Sequence, residues 1–191
     1  MKKIIFIFIF VLLIAGTILT IKMTGNTTKN LSDSNKVKIE TTAGNFVIEL
    51  YPNKAPITVA NFKKYVSEGF YDNTIFHRII AGFMVQGGGM DTNGNEKPTH
   101  APIKLESNNG LSNKIGTVAM ARTNVANSAT AQFFINVVDN NFLDYKVGND
   151  GYAVFGKVTS GMDVVNKMSK VKTDSNDEPI SQIKIIKASF V

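Results

Sequence analysis

The chain has 191 residues and a mass of 20.9 kDa, room for one ordinary domain, and with 43% hydrophobic and 19% charged residues it is not a mainly disordered chain. It has no Cys, which excludes disulfide frameworks, thiolate nucleophiles and Cys-type zinc sites, and only two histidines, His77 and His100, which argues against a His-rich metal centre. Of the net charge of +6, three units come from Lys2, Lys3 and Lys22 beside an N-terminal apolar run, and the remaining +3 is spread without a cluster, which argues against a nucleic-acid-binding face.

Residues 4–21 form an apolar run interrupted only by Gly16, Thr17 and Thr20. As a helix it would span roughly 27 Å, close to the hydrocarbon thickness of a bilayer. Its length and the poor cleavage site at Ala15-Gly16-Thr17 favour an uncleaved anchor over a cleaved signal peptide within residues 1–22, and both readings stay open. Either way Lys2 and Lys3 stay cytoplasmic and the rest of the chain is translocated, to the periplasm or the outer face of the cytoplasmic membrane. Residues 23–35, with TGNTTKNLSDSN from Thr24, read as a flexible tether leading to a domain over 36–191.

That domain reads as mainly β with two helices. Residues 36–42 (KVKIETT) and 46–50 (FVIEL) alternate apolar and polar and predict a hairpin turning at Ala43-Gly44-Asn45. Pro56 opens a segment with Val59, Phe62 and Val66 at helical spacing, ended by Gly69. Short β-type runs follow at 75–80, 83–86, 115–121, 132–138 and 152–158, then a second helix over 161–170 and a closing strand over 181–190. Many short strands with two helices predict a barrel or sandwich rather than a parallel nucleotide-binding sheet.

The familiar signatures of hydrolases, P-loops and zinc proteases are all missing. Gly87-Gly88-Gly89 lacks the Lys and Ser or Thr of a phosphate loop and reads as turn geometry. The segment 76–89, FHRIIAGFMVQGGG, is more informative. It sets Arg78 among Phe76, Ile79, Ile80, Phe83 and Met84, and a cation beside so much apolar surface is costly to desolvate. The chain has nineteen lysines and only two arginines, so a guanidinium here points to a need for its planar fork, although a structural Arg with its head in water fits too. Strand alternation would put Phe76, Arg78 and Ile80 on one face and His77 and Ile79 on the other. His77 then reads as a structural hydrogen-bonding residue, and His100 as an exposed loop residue.

Two further groups lie at 119–134 (AMARTNVANSATAQFF), where Gln132 and Phe134 share a strand face, and at Phe142-Leu143-Asp144 with 151–156 (GYAVFG). Together these segments supply amides, aromatics and a guanidinium, without a nucleophile or a matched acid–base pair. Such a set suits a shallow pocket that binds a peptide and changes its conformation without breaking a bond.

FHRIIAGFMVQGG, AMARTNVANSATAQFFINV and FLD…GYAVFGKV resemble the cyclophilin-type peptidyl-prolyl cis–trans isomerases, particularly their bacterial exported branch, over essentially all of residues 36–191. The resemblance implies a closed eight-stranded antiparallel β-barrel capped by two helices, with a groove on its outer face. It implies that Arg78 is catalytic, that Phe83, Met84, Phe134 and Leu143 receive the proline ring, and that Gln86 contacts the substrate backbone and helps orient the arginine. Ala121, Arg122 and Gln132 fall where the family binds the residues preceding proline. Phe142 and Tyr152 complete the substrate-binding set that the resemblance implies: Phe142 stands where many eukaryotic members have Trp, Tyr152 where His is frequent, and the loop between Leu143 and Tyr152 is longer here. The implied activity is rotation of X-Pro bonds in unfolded or partly folded exported or envelope proteins, by a monomer needing no metal or cofactor and binding no nucleic acid. A proline-peptide-binding chaperone module with little turnover is the competing expectation.

Overall fold

In the computed structural model the described residues are 34–191, so the expected anchor or signal segment and nearly all of the tether lie outside them. The chain folds as strands β1 (Lys36–Thr41) and β2 (Gly44–Leu50), helix α1 (Pro56–Ser67), and strands β3 (Thr74–Phe76), β4 (Arg78–Ile80), β5 (Met84–Gly87), β6 (Thr117–Met120), β7 (Phe133–Asn136) and β8 (Val154–Ser160). Helix α2 (Met162–Met168) and strand β9 (Ile183–Phe190) complete it. The predicted hairpin forms, but its turn is only Thr42-Ala43, because Gly44 already pairs with Thr41.

All neighbouring strands are antiparallel, in the order β3-β9-β1-β2-β8-β6-β7-β5-β4. The two edges of that order, β3 and β4, are separated in the chain by His77 alone. Counted as one interrupted strand they give the expected eight and bring the sheet round into a nearly closed barrel, which leaves few edges open to aggregation.

The interruption corrects the expected alternation. Phe76 and Ile79 both join the interior cluster, while Arg78 lies exposed on the outer face and Ile80 packs there. The inward phase therefore slips by one residue at His77, and Phe76 does not share a face with Arg78. His77 is itself buried, and among the described residues its Nδ1 finds no hydrogen-bond partner. Burial lowers its pKa below that of an ordinary imidazole, and the positive charge of Arg78 acts in the same direction.

The interior is filled by inward residues of the strands and by the apolar faces of both helices. Phe62 of α1 sits at its centre, with ring centroids 5.2 Å from Tyr71, 5.6 Å from Phe133 and 5.1 Å from Phe155. The N-terminus of α1 has no side-chain cap of its own. The distant Glu106 carboxylate substitutes for one, accepting from the backbone N–H of Ile57 (3.1 Å) and Thr58 (2.8 Å) and from the Thr58 hydroxyl (2.7 Å).

The glycine run 87–89 serves close approach more than turning. Only Gly88 has a left-handed φ, +81°. A Cβ at Gly87 would lie 2.8 Å from the Ile75 carbonyl oxygen, and one at Gly89 would lie 2.3 Å from the Gln132 side chain.

Candidate active site

On strands whose outward face meets water, alternate residues should be polar. β6 and β7 instead have both faces buried. The outward residues Met84, Ala119, Phe134 and Val154 form a second apolar cluster, against which Ile80, Phe83, Leu111, Ala121, Leu143 and Tyr152 pack. Strand register aligns the outer face into a row: Arg78 opposite Gln86, Gln86 opposite Phe134, Phe134 opposite Ala119, and Ala119 opposite Val154. A guanidinium, an amide and an aromatic ring thus sit side by side on three neighbouring strands.

Above this row lies a cavity of about 170 Å³ lined by Arg78, Phe83, Met84, Gln86, Ala121, Arg122, Phe134, Leu143 and Tyr152. Gln86, Ala121 and Arg122 also line an adjoining cavity of about 280 Å³, which contains Gln132. The structure therefore gathers ten of the eleven sequence-predicted site residues at two contiguous openings. The eleventh, Phe142, lines neither. It is 61% exposed and stacks on Phe83 with centroids 5.6 Å apart.

The walls are held by defined contacts. Gln86 Nε2 donates to Gln132 Oε1 at 3.0 Å and stands 3.5 Å from His77 Nε2. Arg122 donates from Nε to the Gly151 carbonyl (2.9 Å) and from Nη1 to that of Thr123 (2.8 Å), and it lies over the Tyr152 ring at 4.7 Å. Tyr152 in turn meets Phe134 edge-on at 5.6 Å. Arg78 donates from Nε to Asp177 Oδ2 at 3.4 Å.

Leu143 enters from a 3-10 turn (Asn141–Leu143), and its carbonyl accepts from Tyr152 N–H at 2.9 Å. The next residue, Asp144, anchors that turn. Burial works to raise its pKa, but hydrogen bonds from the Ser112 hydroxyl and from Asn113 outweigh burial and hold the carboxyl below its usual range. Under the rim, Asn136 donates to Asn113 and Thr117, while Asn140 donates to Asn136 (2.7 Å) and to the Phe83 carbonyl (2.9 Å), fixing Phe83 from below.

Sequence reading missed the polar lining of the larger cavity, including Glu96, Thr99 and Ser128, and it missed Asp177. Neither carries a local pattern. His100, expected only to be exposed, pairs with Glu68 at 2.7 Å and packs on Tyr65. Among the described residues no three His, Asp or Glu side chains gather as metal ligands would. The arrangement can hold a small apolar ring in a partly dry recess and direct N–H groups at an atom beside it.

Residues 36–190 match the family model described as cyclophilin type peptidyl-prolyl cis-trans isomerase/CLD. A peptidyl-prolyl cis-trans isomerase of Acinetobacter baylyi is 56% identical over 154 residues, covering 78% of this chain and 82% of that protein. Peptidyl-prolyl cis-trans isomerase B of Escherichia coli is 55% identical over 140 residues, covering 72% and 85%. Among solved structures, a cyclophilin-type isomerase of Cryptosporidium parvum, crystallised in the presence of the dipeptide Ala-Pro, superposes with a TM-score of 0.70 at 28% identity, covering 82% of this chain and 98% of that one. An exposed guanidinium in register with an amide and a phenyl ring, on the outer face of a barrel of this order, accompanies a family match over the whole described domain, and the chain belongs to the cyclophilin-type peptidyl-prolyl cis–trans isomerases.

Proposed function

We propose that the domain rotates X-Pro bonds at the Arg78–Gln86–Phe134 row, with unfolded or partly folded proline-containing exported or envelope proteins as substrates. The observation that carries this reading is the register itself, which sets Arg78 across from Gln86 and Gln86 across from Phe134 beside the apolar cavity.

The barrier explains why such a site suffices. Twisting a peptide C–N bond destroys amide resonance and costs about 18–20 kcal/mol. Uncatalysed X-Pro exchange therefore takes roughly tens to hundreds of seconds. In the twisted state the prolyl nitrogen is pyramidal and regains a lone pair. An Arg78 N–H aimed at that nitrogen interacts better with the twisted form than with either planar one, and only such a differential lowers a barrier. Met84, Phe134, Phe83 and Leu143 hold the ring and exclude water, which strengthens the electrostatics. Gln86 steadies the backbone on one side, and Ala121, Arg122 and Gln132 receive the residues before proline. Phe142 supports the recess from outside, through Phe83. A 10⁴-fold acceleration needs about 5.5 kcal/mol, within reach of one charged hydrogen bond in a sheltered site plus restraint of the peptide.

The test is a coupled isomerisation assay on the wild type beside Arg78→Ala and Arg78→Lys. Both variants are expected to fold and to lose most turnover. Wild-type turnover in both would overturn the role of Arg78, and a wild type that binds proline peptides without turning them over would favour the binding-module reading. We propose further that the domain acts as a monomer outside the cytoplasmic membrane, tethered through residues 1–22. The apolar run 4–21 behind Lys2 and Lys3 supports the tether. Intact-mass measurement on protein from the native host checks it, and loss of residues 1–22 would contradict it.

A further inference from the structure

The turn between α2 and β9 supplies a charged group to the site from 99 residues away. Asp174 knots this turn, its Oδ1 accepting from the backbone N–H of Asn176 (2.8 Å) and Glu178 (2.9 Å), while its own N–H donates to the Glu178 carbonyl at 2.9 Å. Within the knot Asp177 donates its N–H to the Asp174 carbonyl at 3.2 Å, and its own carbonyl accepts from Ile79 N–H at 2.8 Å. The backbone of Asp177 is thereby fastened to β4 one residue after Arg78, and its carboxylate meets Arg78 Nε at 3.4 Å. Asp177 holds a left-handed φ of +64°, one of two non-glycine residues with positive φ among the described residues. Glycine fits that conformation with no steric cost, so the position holds a carboxylate where none is needed to make the turn.

We propose that Asp177 is a positioning residue for Arg78, an inference that rests on Arg78 being the catalytic group. The carboxylate holds the guanidinium by Nε, its stem-side edge. The two terminal nitrogens, which make no hydrogen bond among the described residues, are left to serve the prolyl nitrogen. A free arginine samples many rotamers and must surrender them in the transition state. One tethered at Nε from a knotted turn arrives already oriented.

Asp177→Gly removes the carboxylate while suiting the backbone, and Asp177→Asn keeps the shape and one acceptor oxygen without the charge. In the full chain, Asp177→Gly is expected to lower kcat by about threefold to fivefold, the upper range for a partly exposed ion pair, with KM and Tm unchanged and Asp177→Asn intermediate. In an Arg78→Ala background, Asp177→Gly should cost nothing further, since the two residues act through one contact. Wild-type kcat in both Asp177 variants would overturn the proposal, as would an equal loss with and without Arg78. If Arg78→Ala is inactive and Asp177→Gly is not impaired, only the role of Asp177 fails. If Arg78→Ala turns over normally, the catalytic assignment fails and this inference with it.

Discussion

Gly151 locks the wall of the site to the loop beside it, and substituting it should disturb both stability and turnover. Its φ is +61°, and a Cβ there would lie 2.5 Å from Tyr145 N, 2.7 Å from the Asp144 carbonyl carbon and 2.9 Å from the Leu143 carbonyl oxygen. All three are backbone atoms, which no rotamer change can clear. Gly148 in the same loop provides the control: its φ is +83°, but nothing lies within 4 Å of the added Cβ. A left-handed Ala costs about 1–2 kcal/mol, and the stiffer unfolded chain returns about 0.4–1 kcal/mol, so Gly148→Ala should lose about 1 kcal/mol net. Gly151→Ala adds an overpacking penalty of about 1–3 kcal/mol, for a total of about 2–4 kcal/mol. At about 2–4 °C per kcal/mol for a domain of this size, Tm should fall by about 4–16 °C for Gly151→Ala and about 2–4 °C for Gly148→Ala. Relief of the clash must also move Leu143, which lines the cavity, and the Gly151 carbonyl that holds Arg122. In scanning calorimetry paired with the isomerisation assay, kcat/KM should therefore drop only for Gly151→Ala. Equal Tm losses in the two variants, or wild-type turnover in Gly151→Ala, would refute the reasoning.

Adjacent phenylalanines separate packing from recognition. Phe133 points into the barrel and Phe134 into the groove, and both are buried, so truncation of either to Ala should cost about 3–5 kcal/mol. Titration of a proline peptide, at a temperature where both remain folded, should show affinity lost only in Phe134→Ala, and equal affinities would contradict the assignment. The buried His77 gives a pH signature. Its folded pKa lies below the unfolded value of 6.5, so between the two the unfolded chain binds more protons. Stability is then full above about pH 6.5 and falls as the pH drops through the window beneath it. Urea midpoints at pH 7.5 and 5.5 should show this loss in the wild type and a smaller one in His77→Gln, whereas identical slopes would remove His77 as the cause.

Local pattern carried most of the architecture. The alternation in residues 36–50 marks β1 and β2, Pro56 marks the start of α1, and the apolar runs mark β5 to β8 to within a few residues. The candidate site was legible because most of its residues lie on three short segments, although the pairing of β5 with β7, which skips β6 and brings the segments together, has no mark in the chain order. What escaped is what depends on contacts far apart in sequence. Nothing near Asp177 announces that β4 lies against its turn. Nothing in FHRII marks the break at His77, so period-two reasoning put Phe76 beside Arg78. The role of Gly87 and Gly89 also depended on knowing that Ile75 and Gln132 press against them.

Phe76 and Ile79, three positions apart, are both driven into the oily interior, and Arg78 is carried between them on the seam where the barrel meets itself. Its Cα is thus clamped like an axle in two bearings, unlike a residue on a hairpin tip. By strand alternation, inserting a single residue between Arg78 and Ile79 would turn the arginine toward the interior instead of lengthening its reach. The same joint that shuts the cylinder therefore sets where the guanidinium emerges, and one cannot be loosened without misdirecting the other.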